Sequence, residues 1–225
     1  MNFKLFLEVS DELFAKAYSL GEMPRKEVNK LLIGDDDFIK SFKDRKLFTK
    51  NFAWAVPCKE AVDAIKKYAK DPLYDVLAGT GYWTKILKKA GINVIASDMH
   101  KILNKNFYHK TGEDNINISN LVKIQKEKIF RRNALKVAYD ISRKRLKGDI
   151  FISWPPYDNP LAHNLLKIIP LGTRIFYIGE GFGGCTGDDD FHKYLCDKFK
   201  EIKIVALPTF AGIHDALFIY EKLGD

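Results

Sequence analysis

The sequence predicts an α/β protein built on a mostly parallel, doubly wound sheet with helices on both faces. The first observation is an alternation: from Tyr74 onward, short apolar runs are separated by stretches with helical spacing. The second is that the last two apolar runs lie close together, which suits a C-terminal antiparallel strand. The third is a polar-rich, helical first part, residues 1 to about 50, which reads as a small N-terminal extension. The main domain then spans 51–225, with an insertion near 101–127.

Each element has its own signal. In the extension, Phe14, Ala17 and Tyr18 recur at helical spacing, and Gly21 with Pro24 mark the end of that segment. Val28, Leu31 and Leu32 suggest a second short helix, and Phe38, Phe42 and Leu47 a third. Asp35, Asp36 and Asp37 stand where carboxylates favour a helix N-terminus. The strand-like runs are Tyr74–Ala78, Val94–Ser97, Ile150–Ser153, Ile175–Gly179, Ile202–Leu207 and Ala216–Tyr220. Thr84–Ala90 and Leu161–Ile169 supply crossover helices. The region from Lys101 to Lys147 is less regular. It reads as an asparagine-rich insertion, a strand near Lys128–Arg132 and a basic helix over Leu135–Leu146.

Composition narrows the class. The chain has 225 residues and 46% hydrophobic content, enough for a packed core. No apolar run approaches the roughly 18 residues that span a bilayer, so no membrane is expected. Three cysteines without Cys-x-x-Cys spacing favour reduced thiols in a cytoplasmic setting, and no metal site is expected. The net charge of +8 suits a polyanionic partner, RNA or DNA, met through the basic stretch 123–147.

The densest chemical signal is the segment Asp75 to Thr84. An apolar strand enters the turn Ala78-Gly79-Thr80-Gly81 and leaves as a helix. Glycines let backbone pass close to a ligand, and the helix N-terminus points free amides at the same place. Asp98 closes the next strand, where a carboxylate can accept two hydrogen bonds from a ribose diol. By itself Asp98 does not choose between cofactors, because dinucleotide enzymes also place an acid there. A nicotinamide fingerprint wants a third glycine where Thr84 stands, and Tyr82 and Trp83 look bulky beside a pyrophosphate.

This stretch resembles the first motif of class I S-adenosylmethionine-dependent methyltransferases, a Rossmann-like superfamily with an acid before a Gly-x-Gly-x-Gly turn. Asp75 matches the acid, Gly79 and Gly81 match the last two glycines, and Leu77 replaces the first. The resemblance implies S-adenosylmethionine as cofactor. Asp75 would then hold the methionine amino end, often through water, with Ala78, Gly79 and Gly81 under the ribose and methionine. Asp98 would bind the ribose, and Asn133 would stand near the adenine.

A second element follows the strand Ile150–Ser153, in the order Ser153, Trp154, Pro155, Pro156, Tyr157. Two prolines fix an extended turn and remove two donors. The element resembles the fourth motif of amino-methyltransferases, an Asp, Asn or Ser before Pro-Pro and an aromatic. The resemblance implies that Trp154, Pro155 and Tyr157 carry catalysis, with Ser153 binding substrate. Trp154 occupies the polar position, and an indole donates one hydrogen bond while its nitrogen accepts none. The alternative is a rigid rim that packs Trp154 into the core. Glu180, before a glycine-rich loop at the sheet's carboxyl edge, is a further substrate-binding candidate. His163 and His214 are weaker ones, and Phe52–Pro57 suits a flap on the cofactor side. The reading is methyl transfer to a nucleic-acid base nitrogen or another acceptor. An inactive nucleotide- or nucleic-acid-binding module, or a nicotinamide oxidoreductase, are the alternatives.

Overall fold

A computed structural model describes residues 11–32, 45, 46, 48, 49, 51–99 and 128–224. The strands are β1 (Leu73–Asp75), β2 (Val94–Asp98), β3 (Ile129–Arg131), β4 (Asp149–Ser153), β5 (Arg174–Gly179), β6 (Phe199–Ala206) and β7 (Ala216–Lys222). The helices are α1 (Asp11–Ser19), α2 (Arg25–Leu32), α3 (Lys59–Tyr68), α4 (Tyr82–Lys89), α5 (Ala134–Ser142), α6 (Leu161–Ile168) and α7 (Asp189–Lys198). All seven strands join one sheet in the order β3-β2-β1-β4-β5-β7-β6. The first five are parallel, and β7 enters between β5 and β6, antiparallel to both. The expected α/β, Rossmann-like sheet with its C-terminal antiparallel strand is therefore present.

Alternation along each strand builds two layers. Leu73, Phe151, Phe176, Ile178, Leu217 and Ile219 point to one face, where they pack with α1 through α4. Tyr74, Ile150, Ile152, Ile175 and Tyr177 point to the other, against α5, α6 and α7. Ala17, Tyr18, Val28 and Leu32 of the first two helices are buried in the same layer as Leu73 and Phe151. The Tyr82 hydroxyl donates to the carbonyl of Ala17 at 2.6 Å, a direct tie between α4 and α1.

Some boundaries differ from the sequence reading. The first strand stops at Asp75, although Val76 and Ala78 still donate backbone hydrogen bonds to Phe151 and Ser97. The basic helix ends at Ser142 rather than Leu146, because Lys144 turns left-handed and the amides of Arg145 and Leu146 fold back onto the carbonyl of Asp140. Helix α3 has no counterpart in that reading, though Ala61, Val62 and Ile65 give it a buried stripe at helical spacing. The Asp35–Asp37 cap and the insertion 101–127 lie outside the described residues. So does almost all of the third short helix.

At the amino edge of the sheet, Asp149 is fully buried and accepts the amides of Lys70 at 2.8 Å and Arg174 at 2.9 Å. Burial raises its carboxyl above the ordinary range, and the two amides counter that. Asp149→Ala strands both donors and is expected to cost about 2 kcal/mol. In thermal melts that is a fall of roughly 5 °C, and an unchanged melting temperature refutes the role.

Candidate functional site

The order of strands reverses between β1 and β4, and ligands of open α/β sheets bind beyond the carboxyl ends at such a switch point. Asp75 ends β1 there. The turn after it closes through a 2.7 Å bond from the Gly81 amide to the Ala78 carbonyl. Gly79 and Gly81 take φ of 51° and 75°, left-handed angles that a side chain resists, and Gly81 leads directly into α4. Asp98, at the end of β2, accepts the Gly79 amide at 2.9 Å. Turn, strand end and second acid thus form one hydrogen-bonded unit.

Asp75 is only 1% exposed. Its Oδ2 accepts the Thr84 hydroxyl at 2.5 Å, while its buried Oδ1 has no hydrogen-bond partner among the described residues. Burial pushes its carboxyl up to about 7; the Thr84 hydroxyl and the Leu77 amide oppose the shift, and the nearby Asp98 adds to it. Thr84, weighed in the sequence only as a missing glycine, is the residue that orients this acid. Tyr82 and Trp83 also differ from expectation. Both rings turn into the core, so neither crowds the ligand side of the turn.

The segment Phe52–Pro57 lies against the turn. The Thr80 hydroxyl donates to the Phe52 carbonyl, and Trp83 Nε1 donates to the Ala55 carbonyl at 3.2 Å. Trp54, within this segment, stacks on Trp154 with centroids 5.1 Å apart and planes 17° from parallel. The Arg45 guanidinium stands 5.3 and 5.4 Å from the centres of the two indoles. One stretch of chain therefore connects the glycine turn to the proline element.

In the proline element, Trp154 is half-buried, with a left-handed φ of 51°. Its amide donates to Ile178 at 2.8 Å and its Nε1 to Asp215 Oδ1 at 2.9 Å. Its one side-chain donor and one ring face are thus taken by the protein. Pro155 is buried, and its carbonyl accepts the Gly187 amide at 3.2 Å. Ser153 is half-buried at the end of β4, and Tyr157 is 67% exposed.

The Glu180 carboxylate, buried at the end of β5, has both oxygens engaged. Oε2 accepts the Cys185 amide and thiol at 2.9 and 2.8 Å, and Oε1 accepts the His214 amide at 2.9 Å. Although burial favours its neutral form, the Cys185 and His214 contacts hold its carboxyl below the ordinary range. The same hydrogen bond, with burial, pushes the Cys185 thiol up to about 11, which makes it a poor nucleophile. Glu180 thereby joins two loops.

Asp215 precedes β7 and is 4% exposed. Burial raises its carboxyl to about 7; Trp154 and Arg45 oppose the shift, and Glu180 adds to it. The sequence singles out His214 but not this aspartate beside it, nor Arg45 or the pairing of Trp54 with Trp154. Only their fold-level proximity reveals them.

Other candidates lie elsewhere. Asn133 stands at the same sheet edge, where its Oδ1 caps α5 by accepting the Leu135 amide at 2.8 Å. His163 packs against Tyr194 of α7, in the helical layer. Within the basic stretch, Arg132, Lys136 and Arg145 gather around Asp140. Lys128, Arg131, Arg143, Lys144 and Lys147 are exposed. A separate groove of about 840 Å³, with Arg25, Lys26, Lys30 and Glu60 in its wall, contains none of the turn or proline-element residues. No described helix is long and apolar enough to cross a membrane.

No family model and no curated protein matches the chain. Among solved structures, it is similar to an S-adenosylmethionine-dependent methyltransferase from Anabaena variabilis, at 15% identity and a TM-score of 0.48, over 72% of this chain and 82% of that one. It is also similar to the magnesium protoporphyrin IX methyltransferase of Synechocystis, with S-adenosylmethionine bound. There the identity is 11% and the TM-score 0.45, over 95% and 98% of the two chains. A third is the N-methyltransferase NodS of Bradyrhizobium japonicum in complex with S-adenosylhomocysteine, at 11% identity and a TM-score of 0.44, over 85% and 90%. Those ligands and activities are properties of those proteins.

The two raised carboxyls make stability depend on pH. Each stands near 7 in the folded chain against an ordinary 3.8, so its contribution is fully present below about pH 3.8 and is lost as pH rises through 7. Asp215→Asn removes one of these penalties. Relative to the parent protein, the variant's melting temperature is expected to gain roughly 5 °C between pH 5 and pH 8. A difference independent of pH contradicts the assignment.

Proposed function

We propose that this chain binds S-adenosylmethionine at the Asp75–Asp98 turn and transfers its methyl group to an acceptor nitrogen, such as that of a nucleic-acid base. The observation that carries the reading is Asp75 Oδ1, a buried carboxylate oxygen with no hydrogen-bond partner among the described residues, beside a second acid and a left-handed glycine turn. Such a site favours a cationic ligand. S-adenosylmethionine brings a sulfonium and an ammonium, whereas a dinucleotide brings two phosphate charges to the same acids. Asp98 suits the ribose diol, and Gly79 with Gly81 let the backbone lie close beneath it.

When bound, the cofactor supplies an electrophilic methyl group. The protein's task is then to orient the acceptor in line with it and to exclude water. Trp154 and Pro155, with Ser153 and Tyr157 beside them, lie at the end of β4, next to β1, which suits the acceptor side of the switch point. An RNA or DNA partner is supported by the exposed cations of 128–147, set beside the exposed rings of Phe130 and Tyr139.

Titration calorimetry tests the cofactor. S-adenosylhomocysteine is expected to bind and NAD not to. Asp98→Ala should weaken the former by about 10- to 100-fold, the worth of a charge-assisted hydrogen bond. Binding of NAD alone sinks the proposal. For the partner, affinity for a labelled RNA oligonucleotide should fall at least tenfold between about 50 and 200 mM salt; a flat salt dependence rules out phosphate contact.

A further inference from the structure

The proline element leaves a chemical gap. A nitrogen that accepts a methyl group carries hydrogen that must be received, yet Trp154 offers no acceptor and its Nε1–H is already given to Asp215. The Pro155 carbonyl receives Gly187, and Glu180 is occupied by Cys185 and His214. Asp215 differs from all of these. Trp154 holds its Oδ1, while its Oδ2 has no hydrogen-bond partner among the described residues.

Topology brings this oxygen to the right edge. Because β7 runs antiparallel to β5, the residue before it lies level with the carboxyl ends of the parallel strands. The Trp154 indole reaches from the end of β4 past the end of β5 to meet it. Arg45, over both indoles, makes no ion pair with either acid among the described residues, and its buried Nε has no hydrogen-bond partner. The groups around Asp215 are Glu180 and Tyr177 from β5 and its end, Cys185 from the following loop, Arg45, and His214 beside it in the chain.

We propose that Asp215 is the residue that receives the acceptor's N–H, with Trp154 as the positioning residue that fixes its carboxylate. This rests on the methyl-transfer reading above. The substrate class is a planar amine-bearing ring. Asp215 Oδ2 accepts a hydrogen bond from the amino group, then takes the proton that the nitrogen sheds as the nitrogen–methyl bond forms and the methyl–sulfur bond breaks. The carboxylic acid returns that proton to water. A carboxyl that titrates near neutrality is suited to both halves of this exchange.

The test uses tryptophan emission of the full chain, with S-adenosylhomocysteine present, titrated with cytosine and with 2-pyrimidinone, which lacks only the amino group. Cytosine is expected to bind at least tenfold more tightly, with a preference that grows as pH rises through about 7. Asp215→Asn should reduce the preference to within twofold while still melting cooperatively. Asp215→Glu, which keeps the charge but moves the oxygens, should retain the pH dependence with a smaller preference. In Trp154→Phe, loss of the indole donor should move the pH midpoint upward, a change that a merely structural role does not produce. Equal affinity for the two probes, no binding of either, or a preference that survives in Asp215→Asn overturns the proposal. Separate calorimetry of S-adenosylhomocysteine reports on the cofactor reading, so the two failures are distinguishable.

Discussion

Burying carboxylates at the carboxyl ends of the strands is the constraint around which this edge of the sheet is built. Asp75 and Asp98 end strands there, Glu180 follows β5 and Asp215 precedes β7, and all are at most 9% exposed. Each accepts a hydrogen bond from a neutral donor: a threonine hydroxyl, a glycine amide, loop amides with a thiol, and an indole. Burial raises the Asp75 and Asp215 carboxyls to about 7, and the donors oppose that shift only in part. Asp149, at the opposite edge, is also buried, but its two oxygens each receive a backbone amide and it serves the fold.

The remainder of the architecture supports that edge. Two apolar layers clamp the sheet, and the first includes α1 and α2, so the N-terminal helices contribute to the packing behind the glycine turn. From there the chain passes Arg45, Phe52 and Trp54 before reaching α3. It touches the turn through Thr80 and Trp83 and the proline element through Trp154. A displacement of Trp54 is therefore felt on both sides of the switch point, because one aromatic stack joins the glycine turn to the proline element.

Much of this was legible in the residues. Short apolar runs and intervening helical stretches point to six of the strands, and the basic stretch near Lys128–Arg132 to the remaining one, because a buried sheet and its crossover helices leave local signals. The turn at Gly79 and Gly81 was readable for the same reason: a left-handed backbone demands glycine. The amphipathic stripe of α3, Ala61, Val62 and Ile65, is also legible in the residues. What stayed hidden were contacts between distant parts of the chain. Nothing near Asp215 announces that Trp154 will cross β5 to meet it, and nothing near Arg45 announces two indoles beneath it. The bulk of Tyr82 and Trp83 misled because sequence reports size but not direction; both rings point into the core.

The central claim is that Asp75 is a desolvated acid kept for a cationic ligand. Isotope-edited infrared titration of aspartate carboxyls, in the parent protein and in Asp75→Asn, measures this directly. Without ligand, one band assigned to Asp75 should titrate near 7. Adding S-adenosylmethionine should move that midpoint well downward, as the ammonium and sulfonium favour the ionised form. A midpoint that stays in place, or rises, on saturation with S-adenosylmethionine contradicts the account.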